Sequence, residues 1–163
     1  MVAGEGEEKF YRAAYLVHQI DPPSATTPNP PMHFIGLVTL RSLSLEETTF
    51  PPRLGHASTP TMLSLEIAYM FLPDFWGCGY ATESINAVLD ACKTAEARAF
   101  WAPFEQVYVR AIVNDENGPS QRVMEKCDMG KPGIIEFKGG RFFIAGKWRE
   151  EHRLFVYGKT LVE

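Results

Sequence analysis

Cysteine is scarce in this sequence of 163 residues: only Cys78, Cys92 and Cys127 occur, with no CxxC pair and no zinc-type spacing. An odd and scattered set argues against a disulfide framework and a metal centre, and it fits a reducing, cytoplasmic compartment. The sequence also lacks a signal-peptide-like start and any apolar run of about 18 residues, the length that a membrane-spanning helix needs. We therefore expect no membrane association.

An excess of positive charge is missing as well, since the formal net charge is −4. Proteins that hold a phosphate backbone usually carry a basic surface, so no nucleic-acid partner is expected, and an acidic chain suits a cationic substrate such as an amine. With 45% hydrophobic and 22% charged residues, the composition predicts one soluble domain with a sizeable core.

The strongest pattern lies in residues 65–99. It begins with an apolar run rich in β-branched and aromatic residues, turns through Gly77 and Gly79, and continues without glycine or proline. This order predicts a strand, a glycine loop and one helix. Apolar residues recur at spacings of three and four from Ala81 to Cys92, so one face of that helix should pack against a sheet.

The glycine loop predicts an anion site. The first turn of a helix has unpaired backbone N–H groups and about half a positive charge, and glycines ahead of it let a phosphate approach the backbone. The alternative is a plain tight turn. The Lys-Ser/Thr ending of a nucleotide-triphosphate loop is absent, and Thr82 departs from the dinucleotide-binding fingerprint. The predicted phosphate or pyrophosphate cradle comprises Trp76, Gly77, Cys78, Gly79, Tyr80 and Ala81.

The flanking segments predict the rest of a sheet. Two strands at 9–20 and 33–40 would form a hairpin across a proline-rich loop, although a short helix is open for the first of them. Further predicted elements are a loop at 42–60, a strand at 106–113, a helix at 120–127 capped by Asn117, and strands at 134–137, 141–148 and 152–161.

Two blocks resemble the GNAT N-acetyltransferase superfamily. LEIAYMFLPDFWGCGYATE is similar to its acyl-CoA loop, in the P-x-[YF]-W-G-x-G-Y-A-T-E form of the branch containing the ribosomal-protein N-terminal (alanine/serine) acetyltransferases. NDENGPSQRVMEKCDMG is similar to that branch's N-x-x-S-x-x-V-hydrophobic-E-K-x-G-F, with Asp128-Met129 in place of Gly-Phe. The resemblance implies an α/β fold: a mixed, mainly antiparallel sheet with a splayed central strand pair and flanking helices.

The same resemblance implies that the chain binds acetyl-CoA and transfers the acetyl group to a primary amine, either a small molecule or a protein N-terminus. The alternative is a non-catalytic or degenerate acyl-CoA-binding module that acts through a partner. The side chain of Cys78 is expected to be incidental. The implied cofactor-binding residues are Met70, Phe71, Leu72, Trp76, Gly77, Cys78, Gly79, Tyr80, Ala81, Asn117 and Ser120.

Two catalytic residues follow from the resemblance, and a third is a candidate from its place on the last predicted strand. Glu66 matches a position from which family members recruit a general base, although it could equally pair with a basic residue. The usual thiolate-protonating Tyr is replaced by Met124, which cannot donate a proton, so Ser120 is the expected stand-in. Tyr157 is a further donor, with a core aromatic as its alternative, and Asn117 could equally be only a helix cap.

Full members of the superfamily also carry an edge strand and two helices that wall the acceptor site, ahead of the first strand seen here. We expect residues 1–163 to form a single GNAT-like acyl-CoA-binding domain that lacks them. The apolar area left exposed would favour a homodimer.

Overall fold

A computed structural model describes residues 10–21, 31–44, 61–144 and 146–162. The expected loops at 21–32 and 42–60 lie largely outside these residues. The described strands are β1 (Arg12–Ile20), β2 (Met32–Ser42), β3 (Met62–Phe71), β4 (Gln106–Asn114), β5 (Gly130–Ile144) and β6 (Lys147–Val162). The helices are α1 (Tyr80–Ala91), α2 (Ala95–Trp101) and α3 (Gly118–Lys126), with a short 3-10 turn at Pro73–Phe75.

The six strands form one mixed sheet in the order β1-β2-β3-β4-β6-β5. Within this described sheet β3 and β4 run parallel, and every other neighbouring pair is antiparallel. The predicted α/β, mainly antiparallel class is therefore confirmed. β1 is a strand, which excludes the short helix considered for this segment.

The core lies between one face of the sheet and the helices. Ile85, Val88 and Leu89 of α1 are buried in the same cluster as Leu65 of β3 and Val109 of β4. Their spacing along α1 places them on one side of the helix, as the sequence pattern predicts. Burial of each such side chain contributes about 1.5–3 kcal/mol, so this packing fixes α1 against the centre of the sheet.

The prediction of one helix after the glycine loop is wrong, because α1 ends at Ala91 and α2 begins at Ala95. Thr94 has an extended backbone (φ −67°, ψ 161°), and its side chain accepts a hydrogen bond of 3.3 Å from the N–H of Ala97. This is an N-cap, which stabilises a new helix start at the expense of continuing the first helix.

The prediction of three short C-terminal strands is also wrong. β5 and β6 form one long hairpin, and Gly139 and Gly140, which lie between the predicted strands 134–137 and 141–148, are within β5. The pairing register shifts between Lys138 and Phe142, and Gly139 there has φ 80°. A bulge at this point lets one strand continue where the sequence predicted a break.

The departure from the family motif after α3 keeps the local backbone. Asp128 adopts φ 55°, a left-handed conformation that glycine adopts freely and that Asp tolerates better than most residues. Its carboxylate lies 3.2 Å from Nζ of Lys159. Met129, which follows Asp128, is buried in the core.

Candidate functional site

The two central strands separate in the middle of the sheet. β3 and β4 pair from Met62 and Gln106 as far as Glu66 and Arg110, and their pairing ends there. Both strands nevertheless continue, β3 to Phe71 and β4 to Asn114. The side of β3 that faces β4 therefore has no strand partner over its last residues.

The pairing of β3 with β2 shows which backbone groups point into this gap. The N–H of Leu72 donates to the carbonyl of Ile35 at 2.9 Å. Bonded pairs alternate along an antiparallel ladder, so the backbone groups of Met70 also point toward β2. Those of Tyr69 and Phe71 point to the opposite, open side.

The glycine loop lies directly after this strand end. Gly77 and Gly79 have φ values of 77° and 89°, and a Cβ added to either would meet no atom within 4 Å. Their conformation favours glycine, and the space above them is open. The indole N–H of Trp76 donates to the carbonyl of Phe71 at 2.7 Å, which ties the loop to the end of β3.

A second helix begins close to the first. Asn117 is the N-cap of α3, and its side-chain oxygen accepts a hydrogen bond of 3.1 Å from the N–H of Ser120. The thiol of Cys127, just after α3, contacts the carbonyl of Thr82 in α1 at 3.8 Å. That contact joins the end of α3 to the start of α1. The shared space at the two helix starts is shown by their residues, since Tyr80 of α1 and Ser120 of α3 line the same groove, and two helix starts suit a negatively charged ligand.

A groove of about 550 Å³ occupies this space, a volume typical of small-molecule sites. No carboxylate is among its described lining residues, whereas Arg122 and Lys126 supply positive charge. The groove therefore favours an anion even though the whole chain is acidic. Its lining comprises Tyr69, Met70, Phe71, Phe75, Trp76, Gly77, Gly79, Tyr80, Ala81, Thr82, Asn117, Pro119, Ser120, Arg122, Val123 and Lys126.

Most of the residues predicted to bind the cofactor line this groove. The exceptions are Leu72, whose N–H bonds to β2, and Cys78, whose exposed thiol lies 3.6 Å from the carbonyl of Trp76. Sequence reasoning missed the two cations. The sequence feature that could have revealed them is their spacing of four residues, which puts Arg122 and Lys126 on one face of α3.

Glu66 lies outside the groove lining and is held by two arginines. One carboxylate oxygen is 2.8 Å from Nη2 of Arg41 on β2, and the other is 3.1 Å from Nη2 of Arg110 on β4. The three residues are directly opposite one another in the sheet, on the face away from the core. This arrangement favours the ion-pair alternative over a general base.

The hydroxyl groups considered for proton transfer occupy different places. Ser120 lines the groove. Tyr157 is 1% exposed in the core, where burial raises its pKa, and Met124 is also fully buried. This favours the core alternative for Tyr157. Sequence reasoning missed Tyr69, whose hydroxyl is buried beside Ser120 at the groove.

The structure also bears on metal and membrane expectations. Among the described residues, no group of three His, Cys, Asp or Glu side chains is arranged to hold a metal ion. None of the described helices has the length and apolar character needed to span a bilayer.

Comparison with known proteins identifies the family. The acetyltransferase (GNAT) domain matches residues 7–130. No protein of curated function matches the sequence significantly.

Solved structures share the fold at low identity. Mycobacterium smegmatis RimJ in complex with CoA-disulfide is similar with a TM-score of 0.52 and 22% identity, over 78% of this chain and 48% of RimJ. Arabidopsis thaliana NAA60 in complex with acetyl-CoA is similar with a TM-score of 0.57 and 14% identity, over 91% of this chain and 76% of NAA60. Dodecameric spermidine N-acetyltransferase from Vibrio cholerae has a TM-score of 0.51 and 21% identity, over 92% of this chain and 65% of that enzyme.

This chain therefore spans about half the length of RimJ and just under two thirds of the spermidine acetyltransferase. The domain match covers most of the chain, and the sheet, the parted strands and the glycine loop agree with it. The protein belongs to the GNAT acetyltransferase family.

Proposed function

We propose that this protein binds acetyl-CoA in the groove and transfers its acetyl group to a primary amine. One observation carries the proposal: a helix start suited to an anion and an unpaired strand edge open into the same groove. Acetyl-CoA matches both features. Its pyrophosphate is an anion that suits the helix start, and its long arm contains amide groups that suit the strand edge.

The residues present fit such a ligand. The pyrophosphate would lie against Gly77 and Gly79, where the space above both glycines is open. The amides of the arm would bond the edge at Tyr69 and the N–H of Phe71 in the manner of an added strand, since the Phe71 carbonyl already accepts the indole N–H of Trp76. Arg122 and Lys126 would neutralise phosphate charge.

The reaction asks little of the protein beyond position and proton transfer. Acetyl-CoA supplies an activated thioester; the amine must lose a proton, and the departing sulfur must gain one. Ser120 lines the groove, and we assign it to the second of these proton transfers. The cap at Asn117 uses the side-chain oxygen, so the side-chain nitrogen keeps two N–H donors for the ligand.

Glu66 is assigned a positioning role in this proposal. Glu66 and Arg110 form the last pair between β3 and β4, so the ion pairs lie at the point where the strands part. A carboxylate shared by two guanidinium groups links β2, β3 and β4 there. It would fix how widely the groove opens.

The acceptor and the assembly belong to the same proposal. The motifs favour the branch that acetylates protein N-termini, with a small amine as the other acceptor. We place residues 1–163 in one cytoplasmic domain that forms a homodimer. Leu16 and Ile20 of β1 and Met32 of β2, which pairs with Ile20, are 66%, 62% and 66% exposed outside the groove lining. A monomeric mass by light scattering at micromolar concentration would contradict the dimer.

The test is release of the CoA thiol from acetyl-CoA in the presence of amines. The panel contains spermidine and peptides with N-terminal alanine or serine. We expect amine-dependent release by the wild type, loss of release in Gly79→Asp, and retention in Gly139→Asp. Gly139 is the matched control because it also has positive φ and open space but lies in β5. Binding of acetyl-CoA without turnover of any amine would instead indicate the non-catalytic module.

A further inference from the structure

We propose that Tyr69 donates the proton that the departing sulfur takes up, with Ser120 beside it. This rests on the proposed function, since it names a catalytic group for that reaction. The observation that carries it is the position of a buried hydroxyl without a hydrogen-bond partner among the described residues. The hydroxyl of Tyr157 also lacks a partner there but lies outside the groove lining, whereas Tyr69 lines the groove.

An unpaired buried hydroxyl is costly. Leaving a buried donor without a partner costs the free energy of its lost hydration, and most such groups in folded proteins are paired. The Ser120 hydroxyl lies near that of Tyr69, but the two do not meet the geometry of a hydrogen bond. A ligand atom in the groove would satisfy the Tyr69 hydroxyl.

The position of Tyr69 points to the reacting end of the ligand. Its backbone belongs to the free edge of β3, along which the amide-bearing arm would run toward the point where the strands part. Its ring packs against the core on the side of the helices, facing the start of α3. The groups that meet there are Tyr69 and Ser120, whereas Met124 is buried in the core and has no proton to give.

The protonation state of Tyr69 agrees with this role. Burial raises its pKa, Cys127 adds a smaller effect in the same direction, and the Ser120 hydroxyl partly offsets the increase. The phenol is therefore fully protonated at neutral pH, as a general acid must be.

The step balances without any further reactant. The amine nitrogen forms a bond to the thioester carbon, and the C–S bond breaks with its electron pair going to sulfur. Sulfur takes the phenolic proton and leaves as the thiol. The nitrogen loses one proton, which returns to the phenolate through Ser120 or water, so Tyr69 ends as it began.

Removal of the hydroxyl alone tests the proposal. For Tyr69→Phe we expect kcat to fall roughly 30- to 1,000-fold while the Kd of acetyl-CoA changes less than about threefold, since general acids typically contribute about 10²–10⁴-fold. The control is Tyr15→Phe, which removes the hydroxyl from a half-buried Tyr of β1 outside the groove lining. It should keep the wild-type kcat.

A graded change in acidity separates catalysis from packing. Incorporation of 3-fluorotyrosine or 3,5-difluorotyrosine at position 69 lowers the phenol pKa with almost no change in shape. The pH at which kcat declines on the alkaline side should move down in the same order. A purely structural hydroxyl would leave that pH unchanged.

The outcomes separate the two proposals. Wild-type turnover with an unchanged kcat in Tyr69→Phe would overturn the role of Tyr69 and leave the proposed function standing. Binding of acetyl-CoA by the wild type without turnover of any amine would overturn both.

Discussion

Replacement of Glu66 by Gln separates a positioning carboxylate from a catalytic one. The change keeps the shape of the side chain and removes the charge that Arg41 and Arg110 share. Glu66 and Arg110 have side chains only 18% and 10% exposed, so water replaces little of the lost interaction.

The expected cost follows from that burial. Breaking a fully buried ion pair costs about 3–5 kcal/mol, whereas an exposed pair contributes about 0–1 kcal/mol. Since Glu66 is mostly buried and serves two arginines, we expect Glu66→Gln to lose about 2–4 kcal/mol of unfolding free energy. For a chain of this size that lowers Tm by roughly 5–15 °C.

Glu136→Gln is the matched control. Glu136 also faces two cations, Arg153 at 3.1 Å and Lys138 at 4.0 Å, but its side chain is 48% exposed. We expect a loss below about 1 kcal/mol. Both variants are compared by urea unfolding and by thermal melts at pH 7.

Turnover measured well below the melting temperature completes the test. A positioning role predicts that the folded Glu66→Gln protein keeps kcat within about tenfold, because no proton passes through this carboxylate. Loss of a general base would lower kcat by about 10²–10⁴-fold. A fall of that size with a Tm equal to that of Glu136→Gln would refute the reasoning.

Three further predictions concern charge, capping and pH. Arg122→Glu and Lys126→Glu should each weaken acetyl-CoA binding about tenfold, or about 1.4 kcal/mol, and less at high salt, as titration calorimetry would show. Asn117→Ala should lose about 1 kcal/mol of stability with the helix cap, whereas Asn117→Asp should keep stability but lose cofactor affinity, since it replaces an N–H donor by a negative charge. Burial raises the pKa of Cys92 and Cys127 from 9.0 to about 11, so the folded state holds their protons more tightly than the unfolded state. The contribution of the two protonated thiols to the free energy of unfolding should be complete below pH 9. It should fall as the pH rises to 11, by about 2–3 kcal/mol per thiol.

Each of these has a contradicting result. Unchanged affinity for acetyl-CoA in both Arg122→Glu and Lys126→Glu would show that neither side chain contacts the cofactor. Wild-type affinity for acetyl-CoA in Asn117→Asp would indicate that Asn117 acts only as a helix cap. A urea midpoint that stays constant from pH 9 to pH 11 would contradict the two buried thiols.

The glycine loop and the cap of α3 were predictable because their causes are local. Gly77 and Gly79 have the positive φ that their residue type suggested, and Asn117 bonds to a group three residues along. Thr94 also acts locally, but one threonine without an acidic residue at the matching position is a weak signal. The long unbroken pattern around it therefore favoured one helix.

The partners of Glu66 and Tyr69 depend on distant segments. Alternation along β3 from Leu65 already puts Tyr69 on the core side and Glu66 on the other. That Glu66 meets an arginine on each side depends on the register of three strands. That Tyr69 meets Ser120 depends on how α3 packs, which no local pattern encodes.

The most direct test of the central claim is calorimetric titration of acetyl-CoA into the wild type, Gly79→Asp and Gly139→Asp. Both substitutions place the same side chain at a positive-φ glycine with open space, so they impose a similar backbone cost. We predict micromolar binding by the wild type and by Gly139→Asp, and at least about tenfold weaker binding by Gly79→Asp, whose carboxylate would repel the pyrophosphate. Equal affinity in all three folded proteins, or no binding by the wild type, would contradict the account.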